Sequence, residues 1–137
     1  MYNRLLVPVD LGHVERLPKA LQTAADLARH YGATVIFVSV TAETPTPIAH
    51  NPKEFTEKLE AFARSQAEAH GITVEARAYS SHDPAIDTDK TLLNAIKELQ
   101  ADLVVMGSHV PGVTDYIWAG HGATISARSD VSVFLVR

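Results

Sequence analysis

Apolar residues fall along this chain in two patterns: short continuous blocks, and longer stretches that repeat every three or four positions. Continuous blocks run from Arg4 to Val9, Thr34 to Val40, Asp102 to Met106 and Val131 to Val136. Unbroken aliphatic and β-branched residues suit strands covered on both faces, as in a parallel sheet. From Ile72 to Tyr79, Val74, Ala76 and Ala78 alternate with polar neighbours, which predicts a strand nearer an edge. Between the blocks the spacing turns helical. Leu17, Ala20, Leu21, Ala24, Leu27, Ala28 and Tyr31 share one face, with Pro18 suited to a first turn and Gly32 to a stop. Phe55, Leu59, Phe62, Ala63 and Ala67 predict a helix over 53–70, ended by Gly71. Leu92, Leu93, Ile96 and Leu99 predict another from about Thr88, and a last helix is expected over 118–128. The stretches from Thr41 to Pro52 and from Ser80 to Asp89 read as loops, the second without a functional account.

Strands alternating with helices imply βαβ units with right-handed crossovers. The expected fold class is α/β: a single domain over 1–137, with one doubly wound, five-stranded parallel sheet flanked by helices, Rossmann-like in kind. The chain has 137 residues, of which 46% are hydrophobic and 20% charged, enough for a core. A net charge of −4 and the lack of any long Lys/Arg run argue against a nucleic-acid partner. With no cysteine there is no disulfide, thiol nucleophile or thiolate-held zinc. The first apolar run is too short for a signal-peptide core or a membrane span, so the expected location is the cytoplasm, without membrane insertion.

Open parallel sheets bind ligands beyond the C-terminal ends of their strands, where connections leave in opposite directions. That places Asp10, Val40 and Gly107-Ser108-His109 at one crevice. Asp10 is a carboxylate at its mouth, fit to accept from a ribose or adenine group or to hold magnesium through water. The alternative is an Asx turn or a helix cap, and the ligand role is favoured because the position coincides with the expected pocket. The segment from Gly107 to Ala123 carries glycines at 107, 112, 120 and 122, which allow close backbone approach to phosphates near a helix start. The same glycines suit a connector of tight turns. No Walker A loop or GxGxxG fingerprint occurs. His13, His109 and His121 with Asp10 and Asp115 are weighed as metal ligands, but no HxxxH or HxH pair ties two of them to one element, so solvated loop histidines are the default. A Ser108–His109–Asp10 hydrolase has no GxSxG elbow to support it. His30, His50, His70 and His82 read as surface residues, and Trp118 and Tyr116 as packing.

With its opening LLVPVD, its VVMGSH strand and glycine loop, and its closing SVFLVR, the whole chain resembles the universal stress protein family. Many members carry Gly-x2-Gly-x9-Gly-Ser/Thr and bind ATP there. This chain has Gly107, Val110 at the second glycine, then Gly120 and His121. Ser108-His109-Val110-Pro111-Gly112-Val113-Thr114-Asp115-Tyr116 is similar to a short subgroup that lacks the second glycine. The resemblance implies the adenine nucleotide alpha-hydrolase-like fold and a regulatory protein, not an enzyme, with no catalytic residues. Its implied ligand is ATP, or AMP or ADP, with or without Mg2+. Pro8, Val9 and Asp10 would line the adenosine end, Val40 would meet the adenine, and Met106 and Gly107 would floor the site. His109, Val110, Gly120, His121, Gly122 and Ala123 would face the phosphates. The resemblance also implies a homodimer through the last strand, 131–136, which would cover an apolar edge. A nucleotide-free module of the same fold, binding a protein partner, is the alternative: there Val110 and His121 close the phosphate site.

Overall fold

The computed structural model describes residues 1–108, 118 and 120–137. Among these the order is β1 (Arg4–Pro8), α1 (Pro18–Tyr31), β2 (Thr34–Ala42), α2 (Pro52–His70), β3 (Thr73–Ser81), α3 (Pro84–Glu98), β4 (Leu103–Gly107), α4 (His121–Arg128) and β5 (Ser132–Val136). The strands form one sheet in the order β3-β2-β1-β4-β5, and every pairing is parallel. The chain winds outward from β1 to β3, then crosses back to β4 on the other side of β1. Right-handed crossovers set α1 and α2 over one face and α3 and α4 over the other, and α3 packs on α4. The expected α/β architecture is the one observed.

Each boundary has a local cause. Pro18 occupies the first turn of α1, where its missing N–H removes no helical bond. Gly32 and Gly71 close α1 and α2 in the left-handed region, with φ of 65° and 64°. Asn51 caps α2, its side chain accepting from Glu54 N at 2.8 Å.

Two helix starts differ from expectation. α3 begins at Pro84 rather than near Thr88, so the supposed loop is mostly helix. Ser81 Oγ accepts from Asp83 N at 3.1 Å and donates to Asp87 Oδ2 at 3.0 Å, which organises that first turn. α4 begins at His121 rather than Trp118, because Trp118 sits in a turn and is held by a contact distant in sequence. The core is the sheet interior: Leu5, Leu6, Ile36, Val38, Val104 and Met106 are all fully buried. β3 alternates in burial, with Val74, Ala76 and Ala78 packed against the core as an edge strand requires. No helix among the described residues is long and apolar enough to cross a membrane.

Candidate functional site

The switch point falls beside β1, and Pro8 opens it. β1 registers with β2 from Arg4↔Thr34 to Pro8↔Val38, but with β4 only at Leu5↔Leu103 and Leu6↔Val104. Val9 N donates to Val38 O at 2.9 Å, so the alternate residue Pro8 faces β4. Proline has no N–H to give. The ladder to β4 therefore ends at Leu6.

Just past the ladder, Val9 O accepts from Ser39 Oγ at 2.7 Å and from Trp118 Nε1 at 3.0 Å. Trp118 is fully buried, as is Ser39 to within 1%. Its ring meets His121 edge-to-face, and its carbonyl accepts from His121 N at 3.1 Å. The start of α4 is thus fixed to the end of β1 through one indole.

A cavity of about 230 Å³ opens at the ends of β1 and β2. β2 runs on to Ala42 after β1 has finished, and Asp10, Leu11, Ser39, Val40, Thr41 and Ala42 line one side. Thr46, Ile48, Phe55 and Pro84 complete the lining. The loop carrying Thr46 and Ile48 is tied to itself. Thr46 N donates to Ala49 O at 2.8 Å, while Thr46 Oγ1 accepts from Ile48 N at 3.3 Å and Ala49 N at 3.2 Å. Lys58 Nζ donates to Ile48 O. Most of the lining is apolar, with hydroxyls of Ser39, Thr41 and Thr46 and the Asp10 carboxylate as polar handles. Such a mixture suits a flat heterocycle with a polar edge.

Asp10 adopts the turn geometry that sequence left open. Its Oδ1 accepts from Gly12 N at 3.0 Å, and its Oδ2 pairs with His13 Nδ1 at 2.8 Å. The carboxylate still lines the cavity. Val40 lines it too, buried to 4% exposure. Pro8, Val9, Met106 and Gly107 are buried strand ends, and the Met106 side chain belongs to the core. Gly120 caps α4 at φ 75° and is exposed, as is Ala123. His121 Nδ1 is paired with Asp89 Oδ1. Gly122 is buried, and a Cβ there would lie 2.4 Å from Leu135 Cδ2, so its missing side chain admits Leu135. His109 and Val110 lie outside the described residues, as does the rest of the loop to Ala119 apart from Trp118.

Among the described residues no three His, Cys, Asp or Glu side chains gather as a metal centre would require. Among those residues His13 pairs with Asp10 and His121 with Asp89. Ser108 Oγ donates to Val136 O at 3.3 Å and so is turned toward the last strand. The roof residues Thr46, Ile48, Phe55 and Pro84 were not anticipated. For Thr46 and Ile48 the signal was the proline-rich stretch before α2, which had to cross the sheet end.

The model of the universal stress protein family matches residues 1–137. Universal stress protein G of Salmonella typhimurium is 24% identical over 143 residues, covering all of both chains. The universal stress protein UspA from Lactobacillus plantarum superposes with a TM-score of 0.71 at 15% identity, covering 99% of this chain and 98% of that one. A universal stress protein from Archaeoglobus fulgidus in complex with dAMP gives a TM-score of 0.66 at 18% identity, covering 99% and 98%. A further universal stress protein, in complex with cAMP, gives 0.67 at 19% identity, covering 99% and 97%.

Proposed function

The chain belongs to the universal stress protein family, and from that premise we propose that it is a single-domain regulatory protein of the cytoplasm, holding an adenine nucleotide without turning it over. The cavity beside Val40 carries this reading. It lies where a parallel sheet of this order places ligands, and its apolar lining with a few hydroxyls suits an adenine ring. Solved relatives of the same fold hold cAMP and dAMP.

At about 230 Å³ the cavity falls below the roughly 300–1,000 Å³ usual for whole drug-sized ligands. It therefore takes the base and part of the sugar, and the phosphate reaches toward α4. There Gly120, in its left-handed cap, exposes backbone, and His121 offers an imidazole already engaged with Asp89. A nucleotide with one phosphate meets less repulsion from Asp89 than ATP does. AMP-like ligands are accordingly expected to bind more tightly than ATP, and Mg2+ to narrow the gap by neutralising the longer phosphate chain.

Calorimetric titration of nucleotide-stripped protein with AMP, cAMP and ATP, with and without Mg2+, tests the reading. Saturable binding lost on Val40→Trp, which fills the cavity, supports it. Absence of heat for all three at millimolar concentration favours the second reading, a nucleotide-free protein-interaction module. One observation favours that alternative: Trp118 and Asp89 already occupy the polar groups of Val9 and His121.

The same proposal includes a homodimer through β5. Phe134 and Leu135 on this edge strand are 46% and 39% exposed, and pairing with a second copy covers them. Light scattering that gives the mass of one chain at all concentrations would refute the dimer.

A further inference from the structure

A larger cavity, of about 410 Å³, lies toward the other end of the sheet, between α3 and the turn joining α4 to β5. It shares no lining residue with the crevice beside Val40. Ala101 and Val131, just before β4 and β5, place it at the N-terminal side of those strands.

Its charge runs against that of the chain. Lys90, Lys97 and Arg128 line it together with one carboxylate, Asp130, a local positive excess in a protein of net charge −4. None of the three cations is in an ion pair among the described residues. Cations gathered around a concave surface with apolar walls focus their field into it. Leu93, Ile96, Ala101 and Val131 supply those walls.

Two further features converge on the same cavity. Ser129 lines it, and its Oγ is buried with no hydrogen-bond partner among the described residues. A native structure rarely leaves a buried hydroxyl so, because its lost hydration is uncompensated. Gln100, also in the lining, has a φ of 54°, a conformation that at a helix end normally falls to glycine. A glutamine stands at that position despite the strain.

We propose that this cavity is a binding site for a small organic anion, a phosphate-, sulfonate- or carboxylate-bearing molecule with an apolar body. Lys90, Lys97 and Arg128 attract the charged group, and Arg128 can present two N–H donors to its oxygens. The amides of Asn94 and Gln100 supply neutral donors, and a turn about χ1 brings the buried Ser129 hydroxyl to the ligand. Leu93 and Val131 take the apolar body. Asp130 disfavours ligands that carry a second negative charge.

The test titrates the isotopically labelled full chain with phenyl phosphate and follows backbone amide resonances. Saturable shifts are expected over 90–101 and 128–131, with Asp10, Val40 and Thr41 unmoved. The Lys97→Gln, Arg128→Gln double variant changes exposed side chains and should keep its circular dichroism while binding about tenfold more weakly. Ser129→Ala should weaken binding without lowering the melting temperature of the ligand-free protein, whereas a hydroxyl with a purely structural role would move the melting temperature alone. Shifts confined to the crevice residues, shifts that do not saturate by about 10 mM, or unchanged affinity in the double variant would each overturn the proposal.

Discussion

Val9 O is the polar point on which the crevice turns, and its two donors permit a quantitative test. Ser39 Oγ and Trp118 Nε1 both reach it, at 2.7 and 3.0 Å, and Val9 is fully buried. Ser39→Ala leaves the indole in place and costs one hydrogen bond, about 1 kcal/mol. Trp118→Phe leaves the serine in place and loses one bond plus part of a buried ring, together about 2 kcal/mol. Either change alone leaves the carbonyl satisfied. The double variant strips it of both donors, and an unsatisfied buried acceptor costs about 1–3 kcal/mol in its own right. The double change should therefore exceed the sum of the singles by about 1–2 kcal/mol. Urea unfolding followed by far-ultraviolet circular dichroism measures this, since the chain has a single tryptophan and the variants remove its fluorescence. A chain of this size unfolds with a slope of about 1–3 kcal/mol per molar urea, so the excess displaces the midpoint by several tenths of a molar or more. Additivity to within about 0.3 kcal/mol would show that Val9 O does not depend on these two groups, and the account of how α4 is fixed to β1 would fail.

Three other outcomes follow from single residues. Gly120→Ala meets no atom of the described residues within 4 Å of the added carbon, so the φ of 75° is what opposes it there, and thermal unfolding should show a loss of about 1–2 kcal/mol. Gln100→Gly relieves the same strain and should raise stability by about 0.5–1 kcal/mol, net of the extra freedom glycine gives the unfolded chain; a fall in melting temperature would contradict this. The Tyr79 phenol is held above its ordinary range, first by partial burial and then by the Glu98 carboxylate. The folded form keeps its proton longer, so stability present below the unfolded tyrosine's pKa is lost as pH rises through the folded one. Absorbance titration near 295 nm should show one late-ionising tyrosine that moves earlier in Glu98→Gln.

The strands could be read from sequence because their signal is local: a parallel interior strand is apolar on both faces, and Leu5, Leu6, Ile36, Val104 and Val105 are all buried. The start of α3 could not be read in the same way. Pro84 stands among polar residues and punctuates a loop as readily as it opens a helix, and what decides is the Ser81 hydroxyl bridging Asp83 and Asp87. Trp118 misled for the opposite reason. Its apolar bulk fits a helix face, yet its indole N–H answers a carbonyl 109 positions earlier. In the site, topology alone located Asp10 and Val40. Thr46 and Ile48 depend on how one loop folds back over the sheet end, and hydropathy carries no trace of that. Gly122 looked like room for phosphate, while its neighbour in space is Leu135.

Two imidazole–carboxylate pairs, one joined to the crevice through Asp10 and the other at the start of α4, bear on what the proposed site can hold. Asp10 keeps His13 at one end of β1, and Asp89 keeps His121 at the start of α4. In each pair the histidine Nδ1 is already engaged by a carboxylate, so that nitrogen is not open to an incoming phosphate. Two like charges about 4 Å apart near a protein surface oppose each other by about 4 kcal/mol, enough to offset the few hydrogen bonds that the backbone at Gly120 can give. Each phosphate added to a nucleotide therefore brings repulsion from Asp89 along with any new contact, unless a cation accompanies it. On the proposed reading the base, by contrast, enters a lining of Leu11, Val40, Ala42, Ile48 and Phe55, where burial is favourable whatever the length of the phosphate chain. On the proposed reading, affinity is accordingly carried by the nucleoside, and the phosphate end sets the order among nucleotides. Asp89→Asn removes the repelling charge and should raise ATP affinity more than AMP affinity; equal gains for both would mean that the phosphates do not lie along α4.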